Sequence, residues 1–153
     1  MPFKKILCAV DFSPDSLEAF RIAVETARLH SGSLHLFHVM EAQPAASGEV
    51  LVEIVKRANA AMETLIASAQ PSLGGLAFTT EITSGRAFVE IVRRAREWRA
   101  DLIVLGSKGM TSLEEIIIGG TAEGVMKEAS CSILVVRPDR DSGKNKDLSR
   151  RRR

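Results

Sequence analysis

Short apolar runs of strand length alternate along this chain with longer segments of helical period. Strands buried on both faces read as nearly continuous apolar runs, and helices are the usual connections between parallel strands. The alternation therefore predicts an α/β fold in which helices cover both faces of a five-stranded parallel sheet. The predicted strands are Lys4 to Val10, Ser33 to Val39, Ala77 to Thr83, Leu102 to Gly106 and Ser132 to Val136.

Four helices are predicted to connect these strands. The first runs from Pro14 to His30, the second follows a Pro/Ala/Ser/Gly-rich loop and stops before Pro71, the third runs from Ala87 to Arg99, and the fourth begins near Gly119. Helical spacing assigns an inward face to each of the first three. The inward side chains are expected to be Leu17, Phe20, Val24 and Ala27, then Leu51, Ile54, Val55, Ala58, Met62, Leu65 and Ile66, then Phe88, Ile91, Val92, Ala95 and Trp98.

The segment from Asp101 to Glu123 reads DLIVLGSKGMTSLEEIIIGGTAE. A strand runs into a glycine loop, nine residues intervene, and the pair Gly119 and Gly120 opens a helix. Glycines at both turns let two backbone segments approach one ligand with their N–H groups, and the start of a helix carries a partial positive charge. The segment is therefore a candidate phosphate cradle, although it matches neither the P-loop nor the dinucleotide-binding glycine pattern.

The spacing Gly-x2-Gly-x9-Gly resembles the nucleotide loop of the universal stress protein family. Further similarity lies in KKILCAVDFSPDS, LHLFHVM, GRAFVEIVRRA and ASCSILVVRP, so that it covers about residues 3–138. ATP-binding members of that family carry Ser or Thr after the third motif glycine. This chain has Gly120 there, and the hydroxyl of Thr121 follows one position later.

The resemblance implies a flavodoxin-like strand order, 3-2-1-4-5. In that order Asp11, after the first strand, and Gly106, ending the fourth, meet at one edge of the sheet, where the strands diverge and ligands bind. The resemblance also implies an ATP-binding module of the stress response, with Mg²⁺ as a candidate companion of the nucleotide, and a homodimer that pairs the last strand, Ser132 to Val136, across a two-fold axis. That strand is an apolar edge of the sheet, and an exposed apolar edge tends to pair with another chain.

The predicted nucleotide-binding residues have structural roles as alternatives. Asp11 either accepts hydrogen bonds from a ribose or caps the first helix, the glycines either admit phosphate or only shape turns, and Lys108 either offers charge to a phosphate or is solvated. The main chain near the first two strands is expected to read the base. The full predicted set is Ala9, Val10, Asp11, Val39, Leu105, Gly106, Lys108, Gly109, Gly119, Gly120, Thr121 and Ala122.

Two other functions stay open. Gly120 supports the hypothesis that this chain acts through dimer and partner contacts and binds no nucleotide. Slow ATP hydrolysis is the third hypothesis, but we identify no catalytic residue, since no nucleophile and base arrangement can be argued from the sequence.

Charge divides the chain into two parts. The formal net charge is +2, yet residues 1–136 carry 13 Lys and Arg against 16 Asp and Glu, whereas residues 137–153 carry 8 against 3. The domain is expected to span residues 1–138, followed by a disordered basic tail at 139–153. We favour a solvated tail over one that binds nucleic acid or membrane. The chain lacks a membrane-length apolar run and a signal-peptide layout, so we expect a cytoplasmic protein.

The cysteines and histidines argue against a metal site. Cys8 and Cys131 lie in strands separated by a third, beyond disulfide reach, so two buried reduced thiols are expected. His35 and His38 are an odd number of residues apart in one strand and point to opposite faces. His30 lies in the last turn of a helix. No metal is therefore predicted.

Overall fold

The computed structural model describes residues 2–41, 47–109 and 118–138. These residues form nine elements: β1 (Lys5–Ala9), α1 (Pro14–Leu29), β2 (Ser33–Met40), α2 (Gly48–Leu73), β3 (Ala77–Ser84), α3 (Ala87–Trp98), β4 (Leu102–Gly106), α4 (Gly120–Glu128) and β5 (Ser132–Val136). Within these ranges no helix is long and apolar enough to cross a membrane. The predicted tail lies outside the described residues, and the domain boundary at 138 stays a prediction.

The described strands form one parallel sheet in the order β3-β2-β1-β4-β5, which confirms the predicted order. Side chains of β1 alternate between two apolar layers. Ile6 and Cys8 pack with α1 and α2 on one face, while Leu7 and Ala9 pack with α3 and α4 on the other. Since both faces of β1 are covered, its apolar run is continuous, as a central parallel strand requires.

Helix α1 begins as its sequence predicts. The N–H of Ser16 donates to the Ser13 hydroxyl at 3.3 Å, and Pro14 occupies the first turn. Phe20, among the predicted inward residues, is buried, as are Val24 and Ala27. Leu17 was predicted to be buried but is 42% exposed. The buried stripe also includes Ser16, Ala19 and Ala23, and Leu17 lies at the margin of that stripe.

Helix α2 does not stop before Pro71 but continues to Leu73, so this prediction is wrong. A proline inside a helix removes one hydrogen bond and crowds the preceding turn. Here Leu73 is buried in the core, and the Arg28 guanidinium donates to the carbonyls of Ser72 and Gly74. These tertiary contacts hold the last turn in place.

The inward face of α2 is also shorter than predicted. Ala58 and Met62 are buried, while Leu65 and Ile66 are partly buried against the same layer. Leu51 and Val55, also predicted to face inward, are 40% and 42% exposed. In α3 the predicted face is confirmed, with Ile91 and Ala95 buried and Phe88, Val92 and Trp98 packed beside them.

The cysteines and strand histidines lie where the strand order places them. Cys8 is buried, and burial raises the pKa of its thiol; Cys131 is free too, but only partly buried, contrary to prediction. The imidazole of His35 contacts Thr79 and Glu81, and burial lowers its pKa. His38 contacts the Val10 carbonyl on the opposite face, as the strand period predicts.

Candidate functional site

A cavity of about 400 Å³ opens at the carboxyl ends of β1 and β4, where the strand order diverges. This is the place where parallel α/β sheets bind ligands. All twelve residues predicted from sequence line the cavity. They are Ala9, Val10, Asp11, Val39, Leu105, Gly106, Lys108, Gly109, Gly119, Gly120, Thr121 and Ala122. The structure thus brings together two glycine turns that are ten residues apart in the chain.

The first glycine turn, residues 106–109, is packed directly against the start of α1. A Cβ placed on Gly106 would lie 2.7 Å from the Cβ of Asp15 and 2.8 Å from the backbone nitrogen of Ser16. Contacts under 3.0 Å with backbone atoms cannot be relieved by turning a side chain. The turn is therefore fixed at the end of β4 because position 106 has no side chain.

Hydrogen bonds tie this turn to its neighbours. Asp15 Oδ2 accepts from the Ser107 hydroxyl at 2.7 Å and from the Lys108 N–H at 3.1 Å. The Ser107 N–H donates to the Val136 carbonyl at 2.9 Å, and the Ser107 carbonyl accepts from the Gly119 N–H at 2.6 Å. Through these bonds Ser107, which directly follows β4, is connected to β5, α1 and the start of α4. Ser107 is also fully buried.

The second glycine turn, Gly119–Gly120, starts α4 at the edge of the cavity. Gly119 is buried and holds the cap position, where it has no side chain to bond the first N–H groups of the helix. The first four N–H groups of a helix lack partners within it, and the helix start is electropositive. Thr121 and Ala122 line the cavity at this point, so the first turn of the helix forms part of the cavity wall.

Asp11 lies between the two glycine turns and the end of β1. Its Oδ1 accepts from the Ser13 N–H at 3.0 Å, and its own N–H donates to the Ser16 hydroxyl at 3.3 Å. Ser13, not Asp11, is the N-cap of α1, so the simple capping role considered for Asp11 is wrong. Its Oδ2 lies 2.6 Å from where a Cβ of Gly109 would stand. The glycine therefore leaves room for the carboxylate at the cavity wall.

The opposite end of the cavity is formed by β2 and the start of α3. Val10 N–H donates to the Phe37 carbonyl at 2.9 Å, so the peptide groups of Phe37 face β1. The peptide groups of Val39, two residues on, face the same way, beyond the end of β1. Phe37, Val39 and Ile91 make this end apolar, and the Glu41 carboxylate lines it too.

Among the described residues, six that line the cavity were not predicted. Ser107 lies inside the predicted glycine loop, and Glu41 follows the second predicted strand at the same sheet edge, so both carried a positional indication in the sequence. The other four depend on tertiary packing that the sequence alone does not reveal. The six are Ser16, Phe37, Glu41, Ala87, Ile91 and Ser107.

Among the described residues, few charged groups line the cavity. Asp11 and Glu41 supply carboxylates and Lys108 an ammonium group. Across residues 2–41, 47–109 and 118–138, no three His, Cys, Asp or Glu side chains are grouped to hold a metal ion. The cavity walls thus combine backbone donors at one end, an apolar slot at the other, and a carboxylate between them.

Comparisons with known proteins agree with this architecture. The model of the universal stress protein family matches residues 2–137. A universal stress protein of Methanocaldococcus jannaschii is 34% identical over 142 residues, covering 88% of this chain and 82% of that protein. The structure of the universal stress protein UspA from Lactobacillus plantarum superposes with a TM-score of 0.79 at 28% identity, over 90% of this chain and 99% of that one.

A solved structure of the universal stress protein from Archaeoglobus fulgidus in complex with dAMP has a TM-score of 0.67 at 21% identity. It covers 90% of this chain and 100% of that chain, and the two share a fold. The family match extends over both glycine turns and all five strands of the sheet. This chain belongs to the universal stress protein family.

Proposed function

We propose that this chain is a cytoplasmic adenine-nucleotide-binding module that holds ATP and acts in stress response and signalling. One observation carries the proposal: two glycine turns, a carboxylate and an apolar slot line a single cavity in that order across the sheet. A nucleotide has the matching sequence of groups, namely phosphates, a sugar with hydroxyls, and a flat base.

The phosphates fit the end formed by the glycine turns. Backbone N–H groups at the start of α4 and the positive end of its dipole favour an anion. Lys108 lines the same end and can add a point charge. Because the turns are held by the Asp15 and Ser107 bonds, these donors are positioned before a ligand arrives.

The sugar and base fit the remaining length. Asp11 at the end of β1 accepts hydrogen bonds, which suits ribose hydroxyls. The ends of β2 and β4 lie on either side of β1, about 10 Å apart at the usual strand spacing. The base then occupies the slot beside Phe37, Val39 and Ile91, with the Val39 peptide groups facing its edge.

A cavity of about 400 Å³ lies within the size range of small-ligand sites. The A. fulgidus protein, which shares the fold, binds the adenine nucleotide dAMP. Because the described residues contain no cluster suited to a metal, Mg²⁺ is expected to enter on the phosphates of the nucleotide.

The proposal is tested by calorimetric titration and thermal unfolding with ATP, with and without Mg²⁺. Ligand at 100 times its dissociation constant should raise the free energy of unfolding by about 2.7 kcal/mol. Asp11→Asn keeps an acceptor for the Ser13 N–H but removes the charge, and should weaken ATP binding. Glu63→Gln, on the exposed side of α2, is the matched control. A wild-type chain that shows neither heat nor stabilisation with millimolar ATP would refute the proposal.

Gly120 supports a second candidate, a stress protein that works through dimer and partner contacts without nucleotide. The position that carries a hydroxyl in the ATP-binding pattern has none in this chain. If this candidate is right, wild-type protein fails to bind ATP but still forms its assembly. The titration with ATP is therefore sufficient to distinguish the two candidate functions.

For the assembly, we propose a homodimer that pairs β5 with its copy. β5 is an edge strand, and Leu134 on it is 37% exposed. Unpaired apolar edges tend to be covered by another chain. Leu134→Lys should shift the sedimentation of the protein from dimer to monomer at micromolar concentration, whereas Val52→Lys, on an exposed face of α2, should not. A wild-type monomer under these conditions would contradict the proposal.

A further inference from the structure

Glu41 is the one carboxylate that the structure places at the base end of the cavity among the described residues. It follows β2 directly, and its side chain shares a face with Phe37 and Val39, since alternate residues of a strand point the same way. The apolar slot therefore has one strongly polar group at its mouth. Such a group determines which ligand edges can be accepted there.

The carboxylate is held in place by α3. Glu41 Oε1 accepts from the Ala87 N–H at 2.8 Å, and Ala87 is the first residue of that helix. A negative charge at a helix start is favourable, so this bond orients the side chain instead of leaving it to rotate freely. Ala87 lines the cavity as well. The bond to Ala87 thus fixes the carboxylate to a residue that itself lines the cavity.

An ionised carboxylate accepts hydrogen bonds and donates none. Its two oxygens offer about four lone-pair sites, so one bond to Ala87 leaves acceptor capacity for a ligand. An exocyclic amino group donates two hydrogens, whereas a ring carbonyl oxygen can only accept. A 6-amino group is therefore stabilised beside Glu41, and a 6-carbonyl oxygen at the same position faces another acceptor.

We infer that Glu41 determines base specificity by selecting adenine, with its 6-amino group, over hypoxanthine, with its 6-carbonyl. The inference rests on the proposed nucleotide function and adds the group that distinguishes one purine from another. Hydrogen bonds to charged groups are stronger than neutral ones, which gives a preference of about tenfold or more for ATP over ITP.

The test is calorimetric titration of wild-type protein with ATP, ITP and the triphosphate of purine riboside, which has hydrogen at position 6. We expect ATP to bind most tightly, purine riboside triphosphate less tightly, and ITP least. The purine analogue separates a lost hydrogen bond from repulsion between two acceptors. Equal affinities for ATP and ITP would overturn the inference while leaving the proposed function intact.

Glu41→Gln is the deciding variant. Its amide oxygen still accepts from the Ala87 N–H, so the start of α3 is preserved, while its amide nitrogen can donate to a carbonyl edge. We expect ATP to lose affinity, ITP to gain, and the preference to approach parity. A purely structural role of Glu41 would weaken both nucleotides equally, and that result would also overturn the inference.

Glu49→Gln is the matched control, because Glu49 is an exposed carboxylate in the first turn of α2 and does not line the cavity. Its ATP and ITP affinities should equal those of wild type. If the wild-type chain binds none of the three nucleotides, the proposed function fails, and the inference fails with it.

Discussion

The two glycine turns at the cavity have the same residue type but different surroundings. A Cβ on Gly106 would meet backbone and Cβ atoms of α1 within 2.8 Å, whereas a Cβ on Gly120 would meet no atom of the described residues within 4 Å. The glycine of the first turn is required by packing of the protein itself. At Gly120 the packing of the described residues imposes no such requirement.

The positions of the turns in the fold explain this difference. Gly106 ends a central strand whose neighbours β1 and β5 are both in place, and α1 starts directly above it. Gly120 begins α4 at the exposed edge of the same cavity. The packing of the fold therefore requires glycine at position 106, whereas the described residues do not require it at position 120.

Gly106→Ala should give the largest effect. The added methyl group overlaps the backbone of α1, and either β4 or α1 must shift to relieve it. We expect the free energy of unfolding to fall by about 3 kcal/mol, as for severe overpacking. Chemical denaturation measures this loss. If the variant is as stable as wild type, the first turn is adaptable and the contrast with Gly120 is wrong.

Asp15→Ala should have the next largest effect. The change leaves the fully buried Ser107 hydroxyl and the Lys108 N–H without their acceptor. Leaving buried polar groups unpaired costs about 2 kcal/mol of stability. Asp15→Asn retains an oxygen acceptor and should lose less. Equal losses for the two variants, measured by urea denaturation, would show that charge and not hydrogen bonding holds the turn.

Gly109→Ala should affect binding more than stability. Its Cβ would lie 2.6 Å from Asp11 Oδ2, which is the end of a side chain and can rotate away. We expect ATP affinity to fall about tenfold, or about 1.4 kcal/mol, because Asp11 is displaced from the cavity wall. Titration with ATP measures the loss, and a thermal unfolding curve close to wild type serves as the control. A large loss of stability with unchanged affinity would reverse this assignment.

The strands and helices could be located from the sequence because their positions depend on local patterns. Apolar runs, helical periods and turn residues locate the elements, and the family resemblance orders them. The cavity followed from the same information, since the carboxyl ends of parallel strands meet at one edge. For this reason the twelve residues predicted to bind nucleotide all line one cavity, whereas the binding itself stays a prediction.

What the sequence did not reveal depends on contacts between distant elements. The bond from Asp15 to Ser107 joins residues 92 positions apart, and no local pattern marks Asp15 as its acceptor. The extension of α2 past Pro71 depends on Arg28, which lies on another helix. At Pro71 tertiary contacts outweighed the local rule that a proline ends a helix.

Gly120→Ser should have the smallest effect on stability. Unlike Gly109→Ala, it should tighten ATP binding. Open space surrounds the position within the described residues, and Ser is a better helix former than Gly, so stability should rise by about 0.5 kcal/mol. The hydroxyl restores the group present in the ATP-binding pattern of the family. A hydrogen bond to a phosphate there is worth about 1 kcal/mol, which corresponds to about fivefold tighter ATP binding.

Gly120→Ala separates the hydroxyl from the helix effect, because it adds a methyl group without a donor. Calorimetric titration should therefore show tighter ATP binding for Gly120→Ser than for Gly120→Ala, although Gly120→Ala should be the more stable variant because Ala is the better helix former. If the two bind ATP alike, the Thr121 hydroxyl or the backbone donors already satisfy the phosphate. The contrast between the turns would then hold for packing alone, because Gly120 would be neutral toward both the fold and the ligand.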